Sequence, residues 1–568
     1  MKIEIMAPAK NIETFFVALD AGADRIYFGL HDYNARVVAD NFSFEELKLA
    51  VSKAKEKGVK TYLTLNTLLK DEELDIVEDI AIKAIDAGID ALIVQDLGLA
   101  IRLASKKLPL IASTQMTICN HYGIKTIKDI GFYRVVLSRE LNVNELKECS
   151  KNSDGVELEC FIHGGLCISY SGQCNASIYY YNKSSNRGAC QTPCWNVYSL
   201  YVNNELIRTG CLIRPKDMFG LEHLKELSDS GISAFKVQGR TRNTDYASSI
   251  VKLYKDYANM IAKNKPFVVK QDDIEYLKTK SKRGLMRGNL ETTINKDFVV
   301  KVDDAIGYPL ELKDKTLTFE TGKKAKHLSM SFNSLDDIDV NKIDNVFYRF
   351  YIPYNCFKDE NKEKISILKK KAPIYLIMPI IFERHIDIYN KVIDMVKEYR
   401  IDGISLANLG DLSLVDKLNI EFSTERTFNI TNTASFDYLS KKGINTISVP
   451  FELCGYDKDS VVKSGIKLEE TIYGRPILMQ MKYCILNQSN ECEPNCHKCE
   501  NKQSCYLVGD HSFVASFDKS LTKTILRPIE VMHKPIENDL YEYHRLDIFD
   551  ESVEEINSIA HKYLGDSK

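Results

Sequence analysis

Residues 87–98 read Ala87-Gly88-Ile89-Asp90-Ala91-Leu92-Ile93-Val94-Gln95-Asp96-Leu97-Gly98. A glycine ends the amphipathic helical pattern that runs from Glu72 to Ala87, and an apolar strand follows it. The same alternation extends in both directions. Strands are expected from Ile3, Arg25, Thr61, Ala91, Leu110, Arg134, Val156 and Ala234, with helical patterns such as Phe44 to Lys57 between them and further helix stops at Gly22 and Gly58. Eight such units in about 250 residues predict an α/β fold, a TIM-like (β/α)8 barrel over residues 1–265. A doubly wound open sheet is the alternative, but no glycine-rich phosphate loop follows the first strand.

Beyond Lys265 the period changes. Phe298 to Val302 and Thr316 to Phe319 are short alternating runs, so residues 266–370 read as a linker and a small β-rich domain. From Ile374 the α/β pattern returns and continues to residue 568. It also repeats the first domain: Ala91 to Gly98 matches Gly403 to Gly410, Ser113-Thr114-Gln115 matches Ser423-Thr424-Glu425, and Ser138-Arg139-Glu140-Leu141 matches Pro450-Phe451-Glu452-Leu453. His163-Gly164 through Cys174 then meets Tyr473-Gly474 through Cys484 at equal spacing. A C-terminal half-barrel, a partial duplication of the first domain, is the reading of residues 371–568.

The 568 residues carry 76 basic and 79 acidic side chains, a balance that argues against a generic nucleic-acid coat but leaves room for a local basic cleft. Lys278 to Arg287 and Arg240-Thr241-Arg242 are the basic runs, and Tyr179-Tyr180-Tyr181 offers rings on which a base can stack. No secretory leader or membrane-length apolar run is seen, so a cytoplasmic location is expected.

A reducing compartment makes a disulfide framework an unsuitable use for fifteen cysteines. Cys167, Cys174, Cys190 and Cys194 follow the seventh strand with six, fifteen and three residues between them. Four thiolates on one Gly/Ser/Asn-rich segment, at the barrel face where active sites gather, suit an iron–sulfur cluster or zinc. Cys484, Cys492, Cys496 and Cys499 form a second metal-ligand set within residues 484–505, for zinc or iron–sulfur, with Cys505 left over. Cys119, Cys149, Cys160, Cys211, Cys356 and Cys454 read as fillers.

The block Phe161 to Cys174, with Asn186-Arg187-Gly188-Ala189-Cys190-Gln191-Thr192-Pro193-Cys194, resembles the signature of peptidase family U32, the collagenase-like proteins. Met6-Ala7-Pro8-Ala9, Ala112 to Met116, Leu137 to Leu141, Pro215 to Met218, Phe235 to Arg240 and Arg283 to Gly288 are similar to further family elements. The resemblance implies either peptidase activity or oxygen-independent hydroxylation of tRNA, rRNA or a quinone ring. It further implies a [4Fe–4S] cluster on Cys167, Cys174, Cys190 and Cys194, and prephenate as the oxygen source of the RNA-modifying members. No HExxH or GxSxG motif supports proteolysis. Arg139, Arg187, Lys236 and Arg240 are the expected binders of a dicarboxylate. His163 is the expected proton-transfer residue, and Gln115 and Glu140 the expected substrate-orienting ones. RNA is the expected partner, with hetero- or homo-oligomers also open, and a non-catalytic iron–sulfur scaffold is the remaining class.

Overall fold

The computed structural model describes residues 3–291, 296–300, 307–311, 319–380, 388–452, 456, 458–488, 504–517 and 524–565. Lys301, Val302 and Thr316 to Thr318 of the expected β-rich runs lie outside them, as do Leu453, Cys454, Cys492, Cys496 and Cys499.

All eight strands expected in the first domain form. Glu4–Pro8, Arg25–Phe28, Lys60–Leu65, Ala91–Val94, Leu110–Ala112, Phe132–Val136, Glu157–Gly165 and Ala234–Val237 are parallel, and the eighth pairs with both the seventh and the first. The helices between them start on side-chain caps. Asn11 with Thr14, Ser43 with Glu46 and Asn142 with Glu145 each form a reciprocal capping box. Their apolar stripes, such as Leu47, Ala50, Val51 and Ala54, close over the sheet.

The second unit closes as well. His327–Phe332, Arg349–Pro353, Ile374–Ile377, Gly403–Leu406, Glu421–Thr424, Thr446–Ser448, Lys467–Gly474 and Tyr543–Ile548 make a second parallel barrel, its eighth strand again pairing with the seventh and the first. The half-barrel expectation is therefore extended to a whole one. Its first two strands come from the segment read as a β-rich domain. Their connection passes through the short turn Val340–Lys342, so no 3.6-residue period marked a βα unit there.

The two barrels share a local irregularity. Pairing of the seventh and eighth strands shifts register at Lys236/Val237 in one and at Thr471/Tyr473 in the other. Just beyond, Gly164 and Gly474 adopt positive φ, 105° and 122°, where a Cβ would run into the carbonyl oxygens of Gln238 and Asp547 on the eighth strands.

After its seventh strand each barrel sends out an excursion, and the two excursions pair with each other. A six-stranded antiparallel sheet takes Tyr198–Val202 and Glu205–Gly210 from the first and Met479–Met481, Cys505–Val508, Phe513–Ser516 and Thr524–Pro528 from the second. Its own apolar core includes Tyr198, Leu200, Met479, Leu507 and Phe513. The barrels also meet through exchanged contacts. Helix His121–Ile130, after the fifth strand, packs on Leu409–Lys417, which follows the other barrel's fourth; Leu97–Ser105 and Thr433–Ser435 make the reverse contact. Asn432 donates to both carboxylate oxygens of Asp96 at 2.9 Å across this seam. The exchange gives the chain an approximate internal twofold.

A charge network fills the first barrel below its mouth. Arg134, 1% exposed, pairs with Glu4 at 2.8 Å, Glu159 at 3.3 Å and Glu157, while Lys236 pairs with Glu159 at 2.8 Å. Replacing Arg134→Leu leaves three carboxylates short of a partner. The loss is expected to cost about 3–5 kcal/mol, read as a lower denaturant midpoint, and an unchanged midpoint contradicts that assignment.

Candidate functional site

At the C-terminal ends of the first barrel's strands lies a cavity of about 60 Å³, lined by Arg36, Arg139, Lys236, Arg240, Gln115 and Phe161. Three of the four expected dicarboxylate binders are thus brought together, and Arg36 joins them. Arg240 is 3% exposed and, among the described residues, bonds only neutral groups, donating to Asn34 at 2.9 Å, Thr64 at 3.1 Å and Asn41, with no partner for its Nε. Burial lowers its pKa to about 10. Lys236 is held down mainly by desolvation, which its ion pair with Glu159 only partly offsets. Four cations therefore face a recess with Glu159 and Glu140 as the nearby counter-charges. Such a recess attracts anions, and its size restricts them to small groups.

Arg139 connects this recess to the cysteine segment. Its Nε donates to Ser171 at 3.0 Å, and its guanidinium lies 5.7 Å over the Phe161 ring. Desolvation opposes ionisation of Cys167, but Arg139 and Arg36 outweigh it and lower the thiol's pKa. Cys174 and Cys194 are pushed up, first by desolvation and then by the neighbouring cysteines. Cys194 senses Cys167, Cys174 and Cys190, so the four thiols converge on one region, and all four are free. Cys167 and Cys190 are exposed, and Ser177 and the Thr192 backbone donate to the Cys190 sulfur at 3.8 and 3.4 Å.

Four thiolates without imidazole or carboxylate match the ligand chemistry of iron–sulfur clusters and closed zinc sites. A single zinc at about 2.3 Å from each sulfur needs all four within about 4 Å of one another. Among the described residues no three thiol, imidazole or carboxylate groups are drawn together tightly enough to share one ion. Of the second cysteine set, Cys484 and Cys505 are described. Burial pushes the Cys505 thiol up to about 12, with Cys484 adding to the shift, so the cysteine expected to be left over stands beside an expected ligand.

The segment is fixed by carboxylates from both barrels. Glu140 accepts from the Ser171 backbone at 3.0 Å and hydroxyl at 3.1 Å, and Lys482 of the second excursion donates to the Glu140 carbonyl at 2.9 Å. Glu452, the repeat counterpart of Glu140, accepts from Asn186 at 3.0 Å. Its role was not read from the sequence, although the repeat alignment pointed to the position.

Other expected site residues lie apart. Arg187 is paired with Glu73 at 2.6 Å and bonds the Leu68 carbonyl, outside the cation-lined recess. His163, 1% exposed, turns its Nδ1 toward the Tyr254 hydroxyl at 3.2 Å in helix Thr244–Ala262, and burial lowers its pKa to about 4. In the basic run, Lys278 pairs with Glu275, Lys280 with Asp245, Arg283 with Asp217 and Arg287 with Glu222. Tyr180 stacks on His511 at 4.3 Å and donates to the Ser512 carbonyl, packing against the shared sheet.

With barrel, thiols and cation-lined recess in place, the chain is a TIM-barrel enzyme with a cysteine-rich active face. It belongs to peptidase family U32, whose model matches residues 10–297 and 356–508, and so covers parts of both barrels. It is 35% identical over 287 residues to the "Uncharacterized protease MJ0090" of Methanocaldococcus jannaschii, covering 49% of this chain and 69% of that protein. It is 33% identical over 288 residues to "tRNA hydroxylation protein P1" of Bacillus subtilis, covering 49% and 68%. To the "23S rRNA 5-hydroxycytidine C2501 synthase" of Escherichia coli it is 34% identical over 262 residues, covering 46% and 40%. Among the described residues no helix is long and apolar enough to cross a membrane.

The depressed His163 pKa has a consequence for stability. The unfolded chain binds the proton near pH 6.5 and the folded one near 4, so stability is full above 6.5 and falls as pH drops through that window, by about 3 kcal/mol. A His163→Gln variant should lose this component of the pH dependence of thermal unfolding. Parallel pH profiles for the two proteins would contradict the assignment.

Proposed function

We propose that the chain is an oxygen-independent RNA hydroxylase, adding a hydroxyl to pyrimidine C5 in tRNA or rRNA, with a [4Fe–4S] cluster on Cys167, Cys174, Cys190 and Cys194. Prephenate, a small dicarboxylate, is the oxygen donor in this reading. The observation that carries it is Arg139, which lines the cation recess, donates to Ser171 of the thiol segment and favours the thiolate of Cys167. When bound, the cluster supplies a redox or Lewis-acid centre. The chain's own residues do the rest. Arg36 and Arg240 grip carboxylates through charge-assisted hydrogen bonds. Gln115 faces the same cavity with an uncharged donor and acceptor. Glu140 acts as a positioning residue that fixes Ser171, and hence the segment between Cys167 and Cys174.

The relatives that modify tRNA and rRNA support an RNA substrate, and free thiols suit a cytoplasmic setting. A second metal site on Cys484, Cys492, Cys496 and Cys499 belongs to the same reading, with Cys505 beside it. Among the described residues no dyad matches the protease name of one relative: His163 turns to Tyr254, and the cation Arg139 is what acts on Cys167.

Deleting the gene and profiling nucleosides by mass spectrometry is expected to remove one pyrimidine nucleoside heavier by an oxygen atom. Wild type should restore it, and Arg36→Gln, which loses a charged contact to the donor, should restore about a tenth or less. An unchanged nucleoside profile in the deletion strain would overturn the reading.

A further inference from the structure

The mouth of the second barrel holds a cavity of about 410 Å³, far larger than the recess of the first. The repeat shows that it is no copy of the first site. Three residues past Gly164 stands Cys167, but three past Gly474 stands Ile477; four past Lys236 stands Arg240, but four past the corresponding Arg545 stands Phe549. The thiol and the anion-gripping arginine of the first mouth are replaced by apolar groups, so this mouth has other work.

Its walls supply three chemistries. Arg527, 7% exposed, donates to Ser516 at 2.7 Å and to Asn333 at 2.9 Å, both neutral, and forms no ion pair among the described residues. Burial lowers its pKa to about 10, which leaves it charged at neutral pH and in need of an anion. The nearby acids are already committed, Asp547 to Arg426 at 2.8 Å and Glu425 to Arg545 at 2.8 Å. Gln480, also 7% exposed, lines the cavity with a carboxamide that bonds no described group. Tyr354 and Phe517 add half-buried aromatic faces.

We propose that this second mouth takes up one unstacked nucleotide of an RNA strand, its phosphate on Arg527, its base against Tyr354 and Phe517 and its edge on the Gln480 carboxamide. The match is of type: a guanidinium for phosphate, an aromatic ring for the base face, and a paired donor and acceptor for the base edge. A volume of about 410 Å³ leaves room for a nucleotide. The location also suits the substrate. Gln173 and Asn175, on either side of Cys174, form part of the wall. A crevice of about 20 Å³ touches Gln115 of the first mouth and Thr427 of the second, so it runs between the two cavities along the barrel seam. The first mouth then holds the small dianion and the second holds the nucleotide, an arrangement that rests on the RNA reading above.

The test is calorimetric titration of the full-length protein with uridine and cytidine 5′-monophosphates, with inorganic phosphate and benzoate as competitors. Saturable binding of at least one nucleotide is expected. It should weaken about tenfold or more in Arg527→Gln, recover in part in Arg527→Lys, and weaken in Gln480→Leu with melting temperature unchanged. No binding at millimolar nucleotide, equal binding by Arg527→Gln, or tighter binding of benzoate than of either nucleotide would overturn the proposal. The two readings fail separately. RNA hydroxylated at wild-type level in cells carrying Arg527→Gln removes this inference alone. Nucleotide binding that persists while gene deletion leaves every RNA unchanged removes the hydroxylase and keeps the site.

Discussion

The backbone N–H of Tyr170 donates to the carbonyl of Gln480 at 2.8 Å. These residues stand six positions beyond Gly164 and Gly474, at equivalent points of the repeat, so the bond joins the two excursions close to the internal twofold. Everything specific to the active face depends on that junction. The part of the first barrel's excursion that carries the four thiols, ahead of its two strands, has little regular structure of its own: one short helix, Ala176–Tyr181, and two single turns. Pairing with the other excursion in the shared sheet, and bonds to Glu140 and Glu452, hold it in place. A loop that carries four thiols is in this way given a rigid second support.

The two barrels close alike and differ at their mouths. Both retain the positive-φ glycine, the register shift and a buried cation paired with a carboxylate on the seventh strand, Lys236 with Glu159 and Arg545 with Glu469. Those features lie where each barrel closes. Above them, at the mouth, the halves diverge. One mouth is narrow and cationic beside thiols; the other is wide, part aromatic, and holds an arginine that has no carboxylate partner among the described residues.

The first barrel was legible because each of its strands is an apolar run buried on both faces, bounded by helix stops such as Gly58 and Gly88. The second was legible only where helices keep the 3.6-residue period, from Ile374 onward. His327–Phe332 and Arg349–Pro353 are joined by turns, and nothing local distinguishes them from strands of a small sheet. At the site, position at a strand end was enough to group Arg139, Lys236 and Arg240. It failed for His163 because the register shift opposite that residue breaks the inward–outward alternation such reasoning assumes. Arg187 was misgrouped because its ion pair with Glu73 is a long-range contact with no sequence signal. Arg36 and Arg527 sit in ordinary surroundings in the sequence, and only closure of the barrels reveals what they face.

The proposed chemistry requires that the four thiols beside the cationic recess bind a cluster. Anaerobic purification with iron, acid-labile sulfide and zinc counted in wild type and in Cys190→Ser tests it most directly. The prediction is that wild type contains about four irons and four sulfides more than the variant. Equal iron in the two proteins, or zinc as the metal lost, would contradict it.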